Sequence, residues 1–199
     1  MVLGYHVILG MYGFWLPNDP RGSWSEFVWS EALSQHGDAT KVDTRDSVAG
    51  AAHDVNRRMA AKRDLQFPPV VLNGQQALSV AKGIAQAAEL TGAPIWACSV
   101  LPEHVHLAVG RFDGTIEDFV AEAKQRATLQ LNAAGLHPLA DARTSTGRRP
   151  TPWARGFWKV FLNDEAHVWA AIRYVEENPV KEGKRRQHWS FVTPFDPHG

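Results

Sequence analysis

His104 and His106 flank one valine at the head of an apolar run, and far downstream Tyr174 and Asn178 stand four residues apart in an apolar-striped segment. In a β-strand the side-chain period is 2, so residues 104 and 106 present two imidazoles to one side and can share a cation. In a helix residues four apart share a face, so Tyr174 offers a phenolic nucleophile with the Asn178 carboxamide oxygen beside it as a third metal ligand. A metal, a tyrosine and a basic surface are what phosphodiester transesterification requires. Each half is ambiguous alone. Alternating histidines also occur as ordinary polar positions or in zinc hydrolase sites, where His6, His137 or His188 would complete the set, and Tyr174 could pack with only its hydroxyl at the surface.

The elements that must carry these residues are readable from periodicity. Leu3–Met11 reads as a first strand, followed by a Gly- and Pro-punctuated loop, Tyr12–Trp24, that places Trp15, Arg21 and Trp24 on a candidate base-stacking or phosphate-contacting surface. A helix is expected around Ser47–Arg63. A second, Gln75–Leu90, follows the cap residue Asn73 and is ended by Thr91-Gly92. Pro94–Leu101 and His104–Gly110 form two β-rich runs joined by Pro102-Glu103, which suits a hairpin or a bulged strand. Thr115-Ile-Glu-Asp118 has the form of a capping box and opens a helix to about Ala134. Trp153–Leu162 reads as a strand pair or turn, and a last helix starts near Asn163 or Asp164 and is expected to stop before Pro179. Strands and helices in this order imply an α+β sandwich, one antiparallel sheet backed by helices. The 199 residues suit one domain, with an extended insertion at about 22–66 and a basic C-terminal segment.

Composition narrows the class. With 44% hydrophobic residues, neither a basic leader with an apolar core nor a run of ~20 apolar residues, the chain reads as a globular cytoplasmic protein with no membrane partner. The single cysteine, Cys98, lies in an apolar run and reads as a core residue. Net charge is zero, yet from Arg143 to His188 ten Lys or Arg face five Asp or Glu. That local excess of positive charge surrounds the Tyr174 helix, and phosphate binding follows local potential rather than the total. Lys124, Arg148, Arg149, Arg155, Lys181, Lys184, Arg185 and Arg186 are the candidates for a nucleic-acid track, with Trp15 and Arg21 beside them. Glu103 and Glu177 neighbour the motif residues as candidate supporting carboxylates, and Tyr5 and Tyr12 are rival tyrosines that lack a ligand residue at helical spacing.

Taken together, Leu101-Pro-Glu-His-Val-His-Leu-Ala-Val109, Trp153-Ala-Arg-Gly-Phe-Trp158 and Ile172-Arg-Tyr-Val-Glu-Glu-Asn-Pro-Val180, with Tyr5-His6-Val7 and Trp15-Leu16-Pro17, resemble the ordered blocks of the IS200-like tyrosine transposases, and more closely their REP-associated branch. The resemblance runs from residue 4 to about 183 and departs from compact members mainly at residues 22–66. It implies a ferredoxin-like core and an HUH single-strand DNA endonuclease and strand transferase. His104 and His106 would take the metal-binding positions, Tyr174 that of the nucleophile, and Asn178 the place of the Gln or Asn that completes the site. The implied cofactor is Mg²⁺ or Mn²⁺, and the implied partner is single-stranded or hairpin DNA. A homodimer is left open by the family, whose members act both as dimers and alone. A relative that holds hairpins without cutting, or a zinc hydrolase, are the competing readings.

Overall fold

The computed structural model describes residues 1–20, 27–28, 30–40 and 52–197. Nine elements follow one another: β1 (Gly4–Gly10), α1 (Glu31–Ser34), α2 (Val55–Arg63), α3 (Gly74–Thr91), β2 (Ile95–Val100), β3 (His104–Gly110), α4 (Ile116–Ala133), β4 (Trp158–Leu162) and α5 (Glu165–Lys181). The strands form one four-stranded antiparallel sheet in the order β2-β3-β1-β4, the split βαβ arrangement of an α+β ferredoxin-like fold. By their contacts the residues group into two compact units. The first comprises Met1–Ile8, Leu72–Pro138 and Lys159–Gly199; the second comprises Leu9–Val71 and Leu139–Trp158.

In the first unit, local chemistry sets the helix ends. Asn73 and Gln76 form a reciprocal capping box at the start of α3, and Gly92, at φ 69°, closes it in the left-handed conformation that glycine adopts without a Cβ clash. Thr115 caps α4 by accepting from Asp118 N–H at 3.1 Å, and Asp164 caps α5 by accepting from His167 N–H at 2.8 Å. Helices α3 and α4 approach so closely that a Cβ on Gly83 would fall inside the Ala127 backbone. In β2 and β3 the register pairs Ala97 with Ala108 and Ser99 with His106, after an irregularity between Ile95 and Ala97. Ala97 and Ala108 pack beneath Val168, Ala171, Ile172 and Val175 of α5. Since Ala108 faces α5, the period of 2 turns His106 and His104 toward the same helix.

Sheet edges present unpaired backbone groups, and β2 is an edge strand. The chain after α5 covers it. Val100 N–H donates to Gln187 Oε1 and Gln187 Nε2 donates to the Val100 carbonyl, both at 2.8 Å, while Thr193 N–H donates to the Ile95 carbonyl at 2.8 Å. Among the described residues, no helix is long and apolar enough to cross a membrane.

In the second unit, Tyr12 N–H donates to the Pro152 carbonyl at 2.8 Å, Val70 N–H donates to the Tyr12 carbonyl at 2.9 Å, and Met11 bridges Trp153. Trp153–Leu162 is thus a lone bridge followed by a short strand. Helix α2 begins at Val55, capped by Asp54, rather than at Ser47; residues 47–51 of the expected helix lie outside the described residues.

One boundary differs from expectation. Pro179 lies inside α5 rather than ending it, and the helix runs on to Lys181. Proline removes its own donation to the carbonyl four residues back and disfavours helical geometry at the preceding residue, yet that is a single lost bond and the residues after it bond back to the helix. Glu182 N–H still reaches the Asn178 and Pro179 carbonyls at 3.2 Å, and Lys184 N–H reaches the Pro179 carbonyl at 2.8 Å.

Candidate active site

Strand β3 supplies His104 and His106, and its neighbour β1 brings in His6 on the same face of the sheet. His6 Nε2 lies 3.1 Å from His106 Nδ1, and the two rings stack with centroids 5.4 Å apart. His104 meets His106 edge-on at 4.7 Å. From α5, Tyr174 lies edge-on to both His106 and His6, at 5.4 and 5.5 Å. Three imidazoles and one phenol therefore form a contiguous cluster held by three elements of one compact unit.

Burial sets its electrostatics. Removal from water pushes His6 down to about 4, and pushes His106 well below the usual histidine value, with the charges of His104 and His6 adding to the effect. Both are neutral at physiological pH, the state in which an imidazole nitrogen can bind a cation. On the outer side, Lys181 Nζ sits 4.8 Å from the Tyr174 ring centroid, and Glu177 lies 3.9 Å from Lys181. A cation over an aromatic face is attracted by the ring quadrupole and places positive charge beside the phenol.

Asn178 lies one turn beyond Tyr174, is 8% exposed, and its carboxamide nitrogen makes no hydrogen bond. An unsatisfied buried amide costs about 1–3 kcal/mol; the orphan is a donor and calls for an acceptor, whereas a cation would be met by the carboxamide oxygen. Glu182 extends the Tyr174-Asn178 stripe by another turn, and its carboxylate lies 3.9 Å from His104 Nε2.

Among the described residues no three His, Cys, Asp or Glu converge as a metal cage. The candidate donor set, His104, His106 and Asn178, is different in kind: two imidazoles and a carboxamide. Such a set is nitrogen-rich for Mg²⁺, which prefers oxygen, and would leave positions for phosphate and water oxygens on a divalent cation such as Mn²⁺. It suits a closed structural zinc site poorly, and the His6–His106 contact turns two of the ring nitrogens toward each other rather than toward a common centre.

Of the remaining sequence candidates, Lys184, Arg185 and Arg186 follow α5 and are exposed. Lys124, on α4, is partly buried, and desolvation lowers it to about 8. Trp15, Arg148, Arg149 and Arg155 belong to the second unit; the three arginines are exposed, and Trp15 packs edge-on to Phe14 at 5.4 Å. Arg21 lies outside the described residues. The rival tyrosines have other company: Tyr5 packs on Phe161 at 5.7 Å, and the Tyr12 hydroxyl accepts from Phe67 N–H at 3.4 Å. Cys98 is buried, which pushes its thiol up and suits a core residue.

Sequence reasoning offered His6 only as one of three alternative histidines beside His104 and His106, and did not offer Glu182. His6 is joined to His106 only by the non-local pairing of β1 with β3. Glu182 was legible as the next member of the 174-178 stripe, but the expected stop at Pro179 removed it.

No family model and no curated protein matches this sequence. Among solved structures, the chain is similar to a REP-associated tyrosine transposase bound to a REP hairpin, at 23% identity, covering 64% of this chain and 70% of that one with a TM-score of 0.45. It is also similar to a transposase candidate from Deinococcus radiodurans R1, at 17% identity over 89% of this chain and 91% of that one, with a TM-score of 0.43. Both likenesses are distant, and chemistry does not transfer at that distance.

Proposed function

We propose that this protein is a metal-dependent single-strand DNA endonuclease and strand transferase that works beside DNA hairpins through a 5′-phosphotyrosine intermediate. The observation that carries the reading is the placement of Tyr174 against His106 and His6, with buried Asn178 one helical turn away. A phenol and two imidazoles meet on facing elements, with a buried carboxamide one turn along the same helix, and this supports the reading.

In this reading Tyr174 Oη attacks the scissile phosphorus and forms the phosphotyrosine bond, while the bond to the 3′ oxygen breaks and that oxygen leaves as a 3′-hydroxyl carrying the proton. A different 3′-hydroxyl then reverses the step, so the strands join with no nucleotide cofactor. Lys181 favours the phenolate and attracts the phosphate. His104, His106 and Asn178 would hold Mg²⁺ or Mn²⁺, which when bound would supply positive charge against the phosphoryl oxygens. Lys184, Arg185 and Arg186 supply positive potential next to the site for the backbone of a hairpin stem.

The test incubates purified protein with labelled single-stranded hairpin DNA from beside its own gene, with Mn²⁺ or Mg²⁺ or with chelator, and resolves the products on a denaturing gel. A covalent adduct that needs metal and is absent from Tyr174→Phe is expected. Hairpin binding with no adduct would replace the proposal with a binding module, and activity that needs tightly held Zn²⁺ and forms no adduct would replace it with a hydrolase.

A further inference from the structure

We infer that His6 is the positioning residue of the metal site: it accepts a hydrogen bond from His106 Nδ1–H and thereby fixes the tautomer that leaves His106 Nε2 bare to face the cation. This rests on the proposed role of His106 as a metal ligand. The contact is specific. His6 Nε2 and His106 Nδ1 are 3.1 Å apart, a hydrogen-bond distance between ring nitrogens, and the residues come from neighbouring strands of one sheet. A neutral imidazole carries one ring proton, so the direction of this bond decides which nitrogen of His106 has a lone pair. Were His6 the donor, the His106 proton would sit on Nε2, and the ring could not bind a cation there. With His106 as donor, Nδ1 is engaged and Nε2 is the ligand atom.

Ligand histidines ordinarily donate their second N–H to a carboxylate, a backbone carbonyl or water. Here a second histidine takes that place. Its ring also stacks on His106 and stands edge-on to Tyr174 at 5.5 Å, so one side chain sets the orientation of the ligand and the packing of the nucleophile. His6 itself then carries its proton on Nδ1, and its Nε2 is occupied by His106 rather than directed at the cation.

The assignment is readable without activity. In metal-free ¹⁵N-labelled protein, long-range ¹H–¹⁵N spectra of the imidazoles are expected to give His106 protonated on Nδ1 and bare on Nε2, and His6 likewise protonated on Nδ1. In His6→Leu the His106 tautomer is expected to become mixed and Mn²⁺ affinity to fall roughly 10- to 100-fold. His6→Gln, which restores an acceptor, is expected to recover most of both. A wild-type His106 protonated on Nε2 overturns the inference, as does a His6→Leu variant with unchanged tautomer and unchanged Mn²⁺ affinity. Should His6→Leu fail to fold, the wild-type spectrum and the His6→Gln affinity decide. Wild-type protein with the expected tautomers but no Mn²⁺ binding would instead contradict the proposed function, leaving the His6–His106 bond in place.

Discussion

His104, His106, Tyr174 and Asn178 were legible as a set because each pair obeys a short-range period, 2 along a strand and 3.6 along a helix, and periodicity survives in the sequence. That the pairs meet is a property of α5 lying over β3, which no local signal encodes. The same holds more strongly for His6, whose partner is 100 positions away. Replacing His104 or His106 by alanine is expected to lower Mn²⁺ affinity and adduct formation on the order of 100-fold, measured by calorimetry and by gel. Lys181→Met is expected to slow adduct formation roughly tenfold in single-turnover assays, with Lys181→Arg retaining most of the rate. Lys124 allows a test of pH dependence. Burial lowers it from 10.5 to about 8, so between those values the unfolded chain binds more protons than the folded one, and stability rises with pH through that interval. Lys124→Met is therefore expected to be stabilising below pH 8, by up to about 3 kcal/mol. That advantage should fade as the pH approaches 10.5, as followed by urea melts across the range.

At the scale of elements, caps were the most readable feature. Asn73 and Thr115 each stand at the cap position their sequence context implied, and Asp164 is one of the two residues expected to open the last helix. The end of α5 was misjudged because a proline's local preference was weighed without the bonds that the following residues make back to the helix. The consequence falls on the candidate site, since the extra turn carries Lys181 over Tyr174 and leads to Glu182 beside His104. The β4 region was ambiguous in sequence because its pairing partner, β1, lies at the other end of the chain. Contact between α3 and α4 gives a direct prediction. Gly83→Ala puts a methyl into the Ala127 backbone and is expected to cost about 1–3 kcal/mol by forcing the helices apart, although alanine has the higher helix propensity. A chemical-denaturation series of Gly83→Ala against Gly74→Ala, at a position with open space around it, separates crowding from propensity.

For the molecule as a whole, a net charge of zero conceals the excess of basic residues between Arg143 and His188. Binding to a hairpin should therefore be strongly salt-dependent while the bulk protein shows little general affinity for duplex DNA. Replacing Lys184, Arg185 and Arg186 together by glutamine is expected to weaken hairpin binding and to flatten the dependence of log K on log salt by up to about 2–3, as measured by fluorescence anisotropy. The antiparallel α+β architecture was readable from the order of strand and helix patterns. The grouping into two compact units depends on contacts between residues far apart in sequence, such as Tyr12 with Pro152, which composition does not announce. The most direct test of the central claim is to digest the covalent DNA adduct with nuclease and protease and to locate the nucleotide by mass spectrometry. A phosphonucleotide on Tyr174 alone is the predicted result; a modification on Tyr12 or Tyr5, or an adduct that persists in Tyr174→Phe, would contradict it.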